Sequence, residues 1–562
     1  MDTLTESPRA TELAPVSSGE RIAALDVVRG FALIGICLMN IEFFNRPLAS
    51  MGEGMPVGLT GMNWLASYFV AYFVAGKFWT IFSMLFGMGF AVMLTRAETA
   101  GRGFMKPYLR RIAALAVFGA LHHVFLFAGD ILFSYAVAAV FLLVTLYGTW
   151  RWIVAAIVTL VALSFIPGWG PAAGSAAGTL ATSGLLALYL RNERRPLGLS
   201  PMSLILLVVG CIGVIAAVVM YAMKAGPAQA RGPVAVFSAL FVLMAFLAQK
   251  YRNPVAARPW RAGAAFYLFV FSSMIIGGAI GYLAPPEPVT PVAVAAKADL
   301  KKPGAKPELT DAARKAEAEA AKAKYLKEQS EEIATENKVM GSGTYSELVS
   351  LRVKHFLKHA PMESNFAGVL VAMFLIGTWF IRSGVMAHTG AHLPMFRRLA
   401  FVALPFGIAL GIAGSLITTH HFAGAEHDGF MLSQGLLMFG NLPACIGYVS
   451  MIVLMLHSRG AFANVKLLAP FGRMALTNYL TQSLVMGLIF LGHGLGYWGL
   501  GRAWQLVFAL VLCALQVAFS HWWLARFRYG PAEWLWRAVT YMKIPAMRID
   551  AAPAPMQAQP AQ

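Results

Sequence analysis

The sequence predicts an all-α fold: a polytopic transmembrane helical bundle of roughly fourteen spans (12–14), interrupted by one charged helical insertion outside the membrane. Three observations predict it. Apolar stretches long enough for the ~30 Å hydrocarbon core recur from Phe31 to about Ala525. Hydrophobic residues make up 58% of the 562 positions and charged residues only 13%. Finally, Lys and Arg gather in alternate short loops, the pattern that orients helices in a bilayer. The net charge of +19 is accounted for by those loops, so no nucleic-acid partner is expected.

Taken in order, residues 1–29 read as a cytoplasmic amino-terminal segment. Its first twenty residues are polar and lack a cleavage site, so the first helix is expected to stay uncleaved. Residues 30–284 form an amino-terminal transmembrane bundle, with spans expected at 30–48, 66–95, 112–128, 131–149, 152–167, 174–190, 200–222, 233–249 and 262–283. Residues 362–526 form a second bundle, with spans at 364–386, 399–419, 429–457, 467–492 and 504–525. Arg96, Arg102, Lys106, Arg110 and Arg111 share one loop, and Arg191, Arg194 and Arg195 another. Lys250, Arg252, Arg258 and Arg261, then Arg397 and Arg398, then Arg526, Arg528 and Arg537 continue the series. The alternation places both termini in the cytoplasm of a bacterial inner membrane. Cys37, Cys211, Cys445 and Cys513 all lie in apolar runs without metal or disulfide spacing.

Residues 285–361 break the pattern on the outer side. Pro285, Pro286, Pro288 and Pro291 stop any helix, after which Thr310 is placed to cap an Ala/Lys/Glu-rich helix reaching about Lys338. Asp311–Lys315, Lys324–Glu328 and Lys327–Glu331 fall at i,i+4. With hardly any apolar stripe, this segment reads as a solvated arm. Residues 527–562 form a cytoplasmic tail whose Met/Pro/Gln/Ala-rich end is expected to be disordered.

Polar groups inside apolar spans are costly, which makes them the functional candidates. Asp26 and Arg29, three apart at the start of the first span, pair at the inner interface or meet an anionic group such as a phosphate. Asn40 adds polarity at its far end, and Lys77 is a charge deep in the second span. The third span ends with His122 and His123, followed by Asp130: imidazoles that titrate near neutrality and a carboxylate able to orient one. Arg473, Thr477 and Thr481 recur every four residues with Asn478 and Gln482 beside them, a stripe that either glues helices or lines a cavity. His420, His421, Glu426, His427, Asp428 and His493 gather on the outer side without recognised ligand spacing, so no metal is expected.

Several segments together resemble the YeiB-like family of bacterial inner-membrane proteins, domain of unknown function 418. They are RGFALIGICLMN, KFWTIFSMLFGMGF, LHHVFLFAGDILFSYA, GTYSELVSLR, FLIGTWFIRSGVM, PFGRMALTNYLTQS and FRYGPAEWLWRAVTY. The resemblance implies kinship with transmembrane acyltransferases, which move an acyl group from a cytoplasmic thioester to an outer-face acceptor. It places the family histidine on His122, with His123 an extra neighbour. The stretch from about 150 to 340 is longer than the family pattern, which a further helix pair and the charged arm would account for.

Residues and resemblance together lead to a membrane-embedded acyltransferase acting on an envelope glycan, lipid or small metabolite. His122 or His123 serves as general base or acyl carrier, Asp130 orients it, and Asp26 and Arg29 face the donor. No permanently bound cofactor is expected; acyl-coenzyme A is the cosubstrate envisaged, and a homo-oligomer is left open. The alternative is an exporter of a small anionic or amphipathic solute, with Asn40, Lys77, Arg473, Thr477, Asn478, Thr481 and Gln482 lining the path. A structural or sensory membrane partner is the third reading.

Overall fold

The computed structural model describes residues 22–223, 228–283, 311–425 and 427–549. The Thr310 cap, the Asp311–Lys315 pair, the proline-rich linker, Glu426 and the tail beyond Ile549 lie outside the described residues or side chains. Among the described residues there is no strand; two isolated bridges, Gly54 with His420 and Phe527 with Arg548, are the nearest approach to one.

Every expected span falls on helix. The amino-terminal series is α1 (Ala23–Asn40), α2 (Gly61–Phe69), α3 (Lys77–Thr99), α4 (Met105–Phe125), α5 (Leu132–Tyr147), α6 (Trp150–Leu163), α7 (Gly170–Arg191), α8 (Pro201–Ala222), α9 (Ala228–Lys250) and α10 (Arg258–Leu283). The insertion supplies α11 (Asp311–Ser342) and α12 (Tyr345–His359). The carboxyl-terminal series is α13 (Ser364–Arg382), α14 (Leu393–Arg398), α15 (Leu404–Ile417), α16 (Phe430–Leu456), α17 (Leu468–Arg473), α18 (Ala475–Phe490), α19 (Arg502–Leu524) and α20 (Pro531–Tyr541). Ten helical stretches have the length and apolarity to cross a membrane alone, and α5, α6 and α18 are shorter apolar helices. The basic first turns of α4, with Lys106, Arg110 and Arg111, keep it below the same hydropathy. Two spans are broken: α2 gives way to a π turn over Val70–Val74 before α3, and Met474 separates α17 from α18.

Deep in the bundle lie α13, which packs against α3, α5, α7 and α10, and α1, which packs against α3, α16, α17, α18 and α19. Of its membrane-crossing window 72% is buried, against 22% for α8 and 17% for the stretch within α9. These two pack chiefly on each other at the rim and turn apolar faces outward, as lipid-facing helices do.

The insertion is not the free arm its composition suggests. From Glu319 to Glu331 it is largely exposed and carries the expected Lys324–Glu328 and Lys327–Glu331 pairs, each at 3.9 Å. Its carboxyl-terminal turns dock. Met340 and Glu336 are buried, and the Glu336 carboxylate accepts the Ala49 N–H at 2.9 Å. Helix α12 follows through a capping box in which Thr344 accepts from Glu347 N and the Glu347 carboxylate accepts from Thr344 N. Docking through single polar bonds leaves no periodic apolar signature, which is why the sequence did not reveal it.

Contact between α1 and α17 depends on glycine. A Cβ at Gly472 would fall on the Asp26 carbonyl oxygen, and one at Gly30 on that of Leu468. Small residues are what allow membrane helices to approach this closely. Gly472→Ala should therefore lower stability by about 1–3 kcal/mol, the usual cost of overpacking. Gly174→Ala, whose Cβ meets nothing within 4 Å, should be neutral or slightly stabilising. Thermal melting of both variants in the same detergent tests the pair, and equal melting temperatures would contradict the close-packing account.

Candidate functional site

His122 and His123 occupy the last turn of α4 and point to different partners. His122 Nδ1 lies 2.8 Å from Asp130 Oδ1, and its Nε2 lies 2.9 Å from Ser483 Oγ on α18. Both side chains of the His122–Asp130 pair are fully buried. The other Asp130 oxygen accepts the Phe133 N–H at 2.9 Å, so the carboxylate is fixed by the start of α5. The result is a serine–imidazole–carboxylate relay assembled from two helices, α4 and α18, and the turn that joins α4 to α5. Of the two histidines suggested by sequence, the geometry joins His122 to Asp130.

His123 instead faces the insertion. Its Nε2 lies 3.1 Å from Nδ1 of His355 on α12, and His355 stacks on His359 with ring centroids 4.2 Å apart. Tyr345 and Arg352 of α12 donate to the Phe125 carbonyl at 3.0 and 3.2 Å, closing the carboxyl end of α4. A neutral imidazole pair shares one proton, whereas two imidazolium rings have no acceptor between them. Burial, with the charges of His359 and Lys358 nearby, pushes His355 down to about 4, with Glu332 opposing. A histidine depressed in the folded state supports docking above its unfolded pKa, and that support is lost as pH falls through its folded pKa. The α12 interface should therefore loosen between about pH 6.5 and 4, by at most ~1.4 kcal/mol per pH unit for one proton. Amide hydrogen exchange across 345–359 should speed up over that window in the wild type and much less in His355→Gln. A flat profile in the wild type would refute the latch.

At the opposite end of the bundle lies a chamber of about 340 Å³, within the range of small-molecule sites. Six arginines line it, namely Arg29, Arg96, Arg111, Arg473, Arg528 and Arg537, against two acids, Asp26 and Glu533. Asp26 is held by Arg29 at 2.9 Å. Glu533 of α20 accepts Leu476 N at 2.6 Å and Thr477 N at 3.2 Å, capping the helix that restarts after Met474. Burial pushes its carboxyl above the usual range and these bonds pull it back. Trp536 stacks on Arg111 at 4.4 Å, and the Arg111 Nε is buried without a hydrogen-bond partner. Deeper in, Ile36, Phe82, Leu85, Phe86, Leu115 and Leu132 make apolar walls, and Tyr135 and Tyr479 also line the chamber. The Tyr479 ring sits 4.8 Å from that of His122. Basic mouth, apolar shaft and relay thus follow one another.

Several expected cavity residues lie elsewhere. Of the stripe on 473–482, only Arg473 lines the chamber. Thr477 donates to Glu533 at 2.6 Å, and Asn478 donates to the Phe471 carbonyl and to Ser520. Gln516 of α19 donates to the Asn478 carbonyl and to Thr481, and Gln482 donates to Gln516 at 2.9 Å. These are interhelical bonds, because periodicity fixes which residues share a face and not what that face meets. Asn40 is buried outside the chamber lining. Lys77 is fully buried at the break before α3, donating to the Ala75 carbonyl at 3.3 Å. In the loop before α16 His421 pairs with Asp428, and among the described residues no three His, Cys, Asp or Glu side chains gather as a metal site requires. Ser483 was not anticipated. Its one signal is a hydroxyl that closes the polar run and opens the apolar SLVMGLIF.

Fold and site together define a multi-pass helical membrane protein with a buried serine–histidine–aspartate relay above a basic chamber. Residues 380–543 match the model of DUF418, a protein of unknown function. Over 539 residues the chain is 25% identical to the uncharacterized protein YxaH of Bacillus subtilis, covering 95% of this chain and 97% of that one. It is 31% identical to the uncharacterized protein YeiB of Escherichia coli over 179 residues, 32% of this chain and 46% of that one. An uncharacterized 39.9 kDa protein of Bacillus acidopullulyticus matches at 40% over 111 residues, 20% of this chain and 30% of that one. The chain thus resembles the YeiB-like DUF418 proteins, through residues 380–543 in the family match and along most of its length in YxaH. No solved structure matches it. The matched segment supplies Arg473, Ser483, Arg528, Glu533 and Arg537, while His122, Asp130, Arg29 and Arg111 come from the other half of the chain.

Proposed function

We propose that this protein is a membrane-embedded acyltransferase. It takes an acyl group from a thioester donor at the basic end and passes it to a hydroxyl or amine acceptor of the envelope, a glycan, lipid or small metabolite. The observation that carries this reading is the alignment of three parts: a chamber mouth lined by six arginines, an apolar shaft, and the His122 relay one aromatic ring beyond it. Arginine recognises phosphate through paired N–H donors, and the unpartnered Nε of Arg111 leaves such a donor unused. A phosphorylated thiol ester such as acyl-coenzyme A combines the anionic head and apolar tail that mouth and shaft would receive. His122 acts as the base that takes the proton of the attacking group, and Asp130 accepts its Nδ1–H and so keeps Nε2 free to receive that proton.

Purified protein given radiolabelled acetyl-CoA, or a longer acyl-CoA, should release free CoA in a His122-dependent manner. His122→Gln should lose about 10²–10⁴-fold in rate, the usual contribution of a positioned base, with little change in melting temperature. Asp130→Asn should lose less, since an amide still positions the ring. Arg111→Ala should raise the donor KM roughly ten- to a hundredfold, as expected for loss of a bond to a charged group. Wild type and His122→Gln behaving alike across a donor panel would refute the reading.

This reading takes the basic end to face the cytoplasm of an inner membrane and the insertion to lie outside, in keeping with the Lys/Arg bias of the loops. Cysteines introduced at the exposed Ser330 and Ser342 should then react with impermeant thiol reagents on intact spheroplasts, and one at Ser458 only after lysis. The reverse pattern would invert donor and acceptor sides.

Solute export is a second reading, favoured by the two interrupted spans, at Ala75–Gly76 beside Lys77 and at Met474. Flux into proteoliposomes without chemical change to the solute would decide for it.

A further inference from the structure

We propose that Ser483 is the acyl carrier of this site, so that transfer proceeds through a covalent serine ester. The inference rests on the acyl-transfer reading above and adds the step by which the group moves. Four observations point to it. First, Ser483 Oγ lies 2.9 Å from His122 Nε2, the nitrogen left after Nδ1 is committed to Asp130. A nucleophile within reach of a base that is itself oriented by a third group is the arrangement that activates a hydroxyl. Second, both His122 nitrogens are engaged, so acylating Nε2 would first require expelling Ser483, whereas acylating Ser483 uses the bonds already in place. Third, a serine inside a helix ordinarily turns its hydroxyl back to the carbonyl four residues earlier. For Ser483 that distance, to Tyr479 O, is 3.5 Å, and the short bond is the one to His122. Fourth, Tyr479, one turn before Ser483, is shared by the chamber wall and the His122 ring contact. That side chain thus stands between the chamber and the relay, and a donor in the shaft reaches the hydroxyl only if the ring moves aside.

The chemistry balances without a further reagent. Ser483 Oγ attacks the thioester carbonyl and gives its proton to His122 Nε2; the new C–O bond forms, the C–S bond breaks, and the imidazolium returns the proton to the departing thiolate. In the second half an acceptor hydroxyl or amine attacks the serine ester, His122 takes its proton, and the Ser483 oxygen leaves and recovers it.

A two-step route has a signature that needs no acceptor: exchange of labelled free CoA into acetyl-CoA. Wild-type protein should catalyse this exchange and carry acetyl label on the peptide containing Ser483. That label should resist hydroxylamine at neutral pH and be released at alkaline pH, as an oxygen ester is. Ser483→Ala should reduce exchange and label at least a hundredfold while melting within a few degrees of the wild type. Ser483→Cys is the second variant: its label should become removable by neutral hydroxylamine, because a thioester replaces the ester. Thiol release by wild type with no exchange, unchanged exchange in Ser483→Ala, or label on the His122 peptide that neutral hydroxylamine strips would each overturn the carrier role and leave acyl transfer standing. No thiol release by wild type from any acyl-CoA would overturn both.

Discussion

One imidazole holds the two halves of this molecule to a common purpose. His122 has two ring nitrogens and spends one on Asp130, close in the chain, and the other on Ser483, 361 positions away. In a hydrocarbon surround none of these groups can turn to water, so each is obliged to find a protein partner. That obligation fixes the carboxyl end of α4 against α18 and sets the direction in which the Ser483 hydroxyl points. Helix α1 then lies where its glycines allow it, against α17, and brings Asp26 and Arg29 beside Arg473.

The rest of the site reads as a gradient of polarity along the bundle. Positive charge is concentrated at one end, apolar walls follow, and titratable groups sit at the other. Arginines at the mouth remain compatible with the bilayer because they are stacked, bonded or exposed to the chamber, as with Arg111 on Trp536 and Arg537 on Tyr529. The insertion completes the opposite end, where α12 lies on His123 and on the exposed carbonyl of Phe125. His122 works inward and His123 outward, although they are neighbours in the chain.

How much of this was legible in the sequence follows from which physical constraint wrote it there. The spans were legible because the bilayer demands long apolar runs and satisfied backbones, and even the Gly/Ala-rich 174–190 is helix. The pairing of Asp26 with Arg29 and of His122 with Asp130 was legible because both are local. Ser483 was not, because nothing near it in sequence distinguishes a nucleophile from a packing hydroxyl; its meaning comes from a partner on a distant helix. The 477–482 stripe reads equally as glue between helices or as the lining of a cavity, and it meets α19 and α20 through Gln516, Ser520 and Glu533. The docked half of the insertion escaped notice because Glu336 and His355 bind through single polar atoms rather than a repeating apolar face.

The place of α20 bears on the order of synthesis. Glu533 closes the restarted helix after Met474, and Arg528, Trp536, Arg537 and Tyr541 form part of the chamber wall. All of them follow the last membrane crossing. When α19 has entered the membrane, the wall of the chamber is therefore still incomplete. The chamber is closed only when the segment after α19 folds back against α4 and α18, so its closure is a step distinct from the insertion of the spans that precede it.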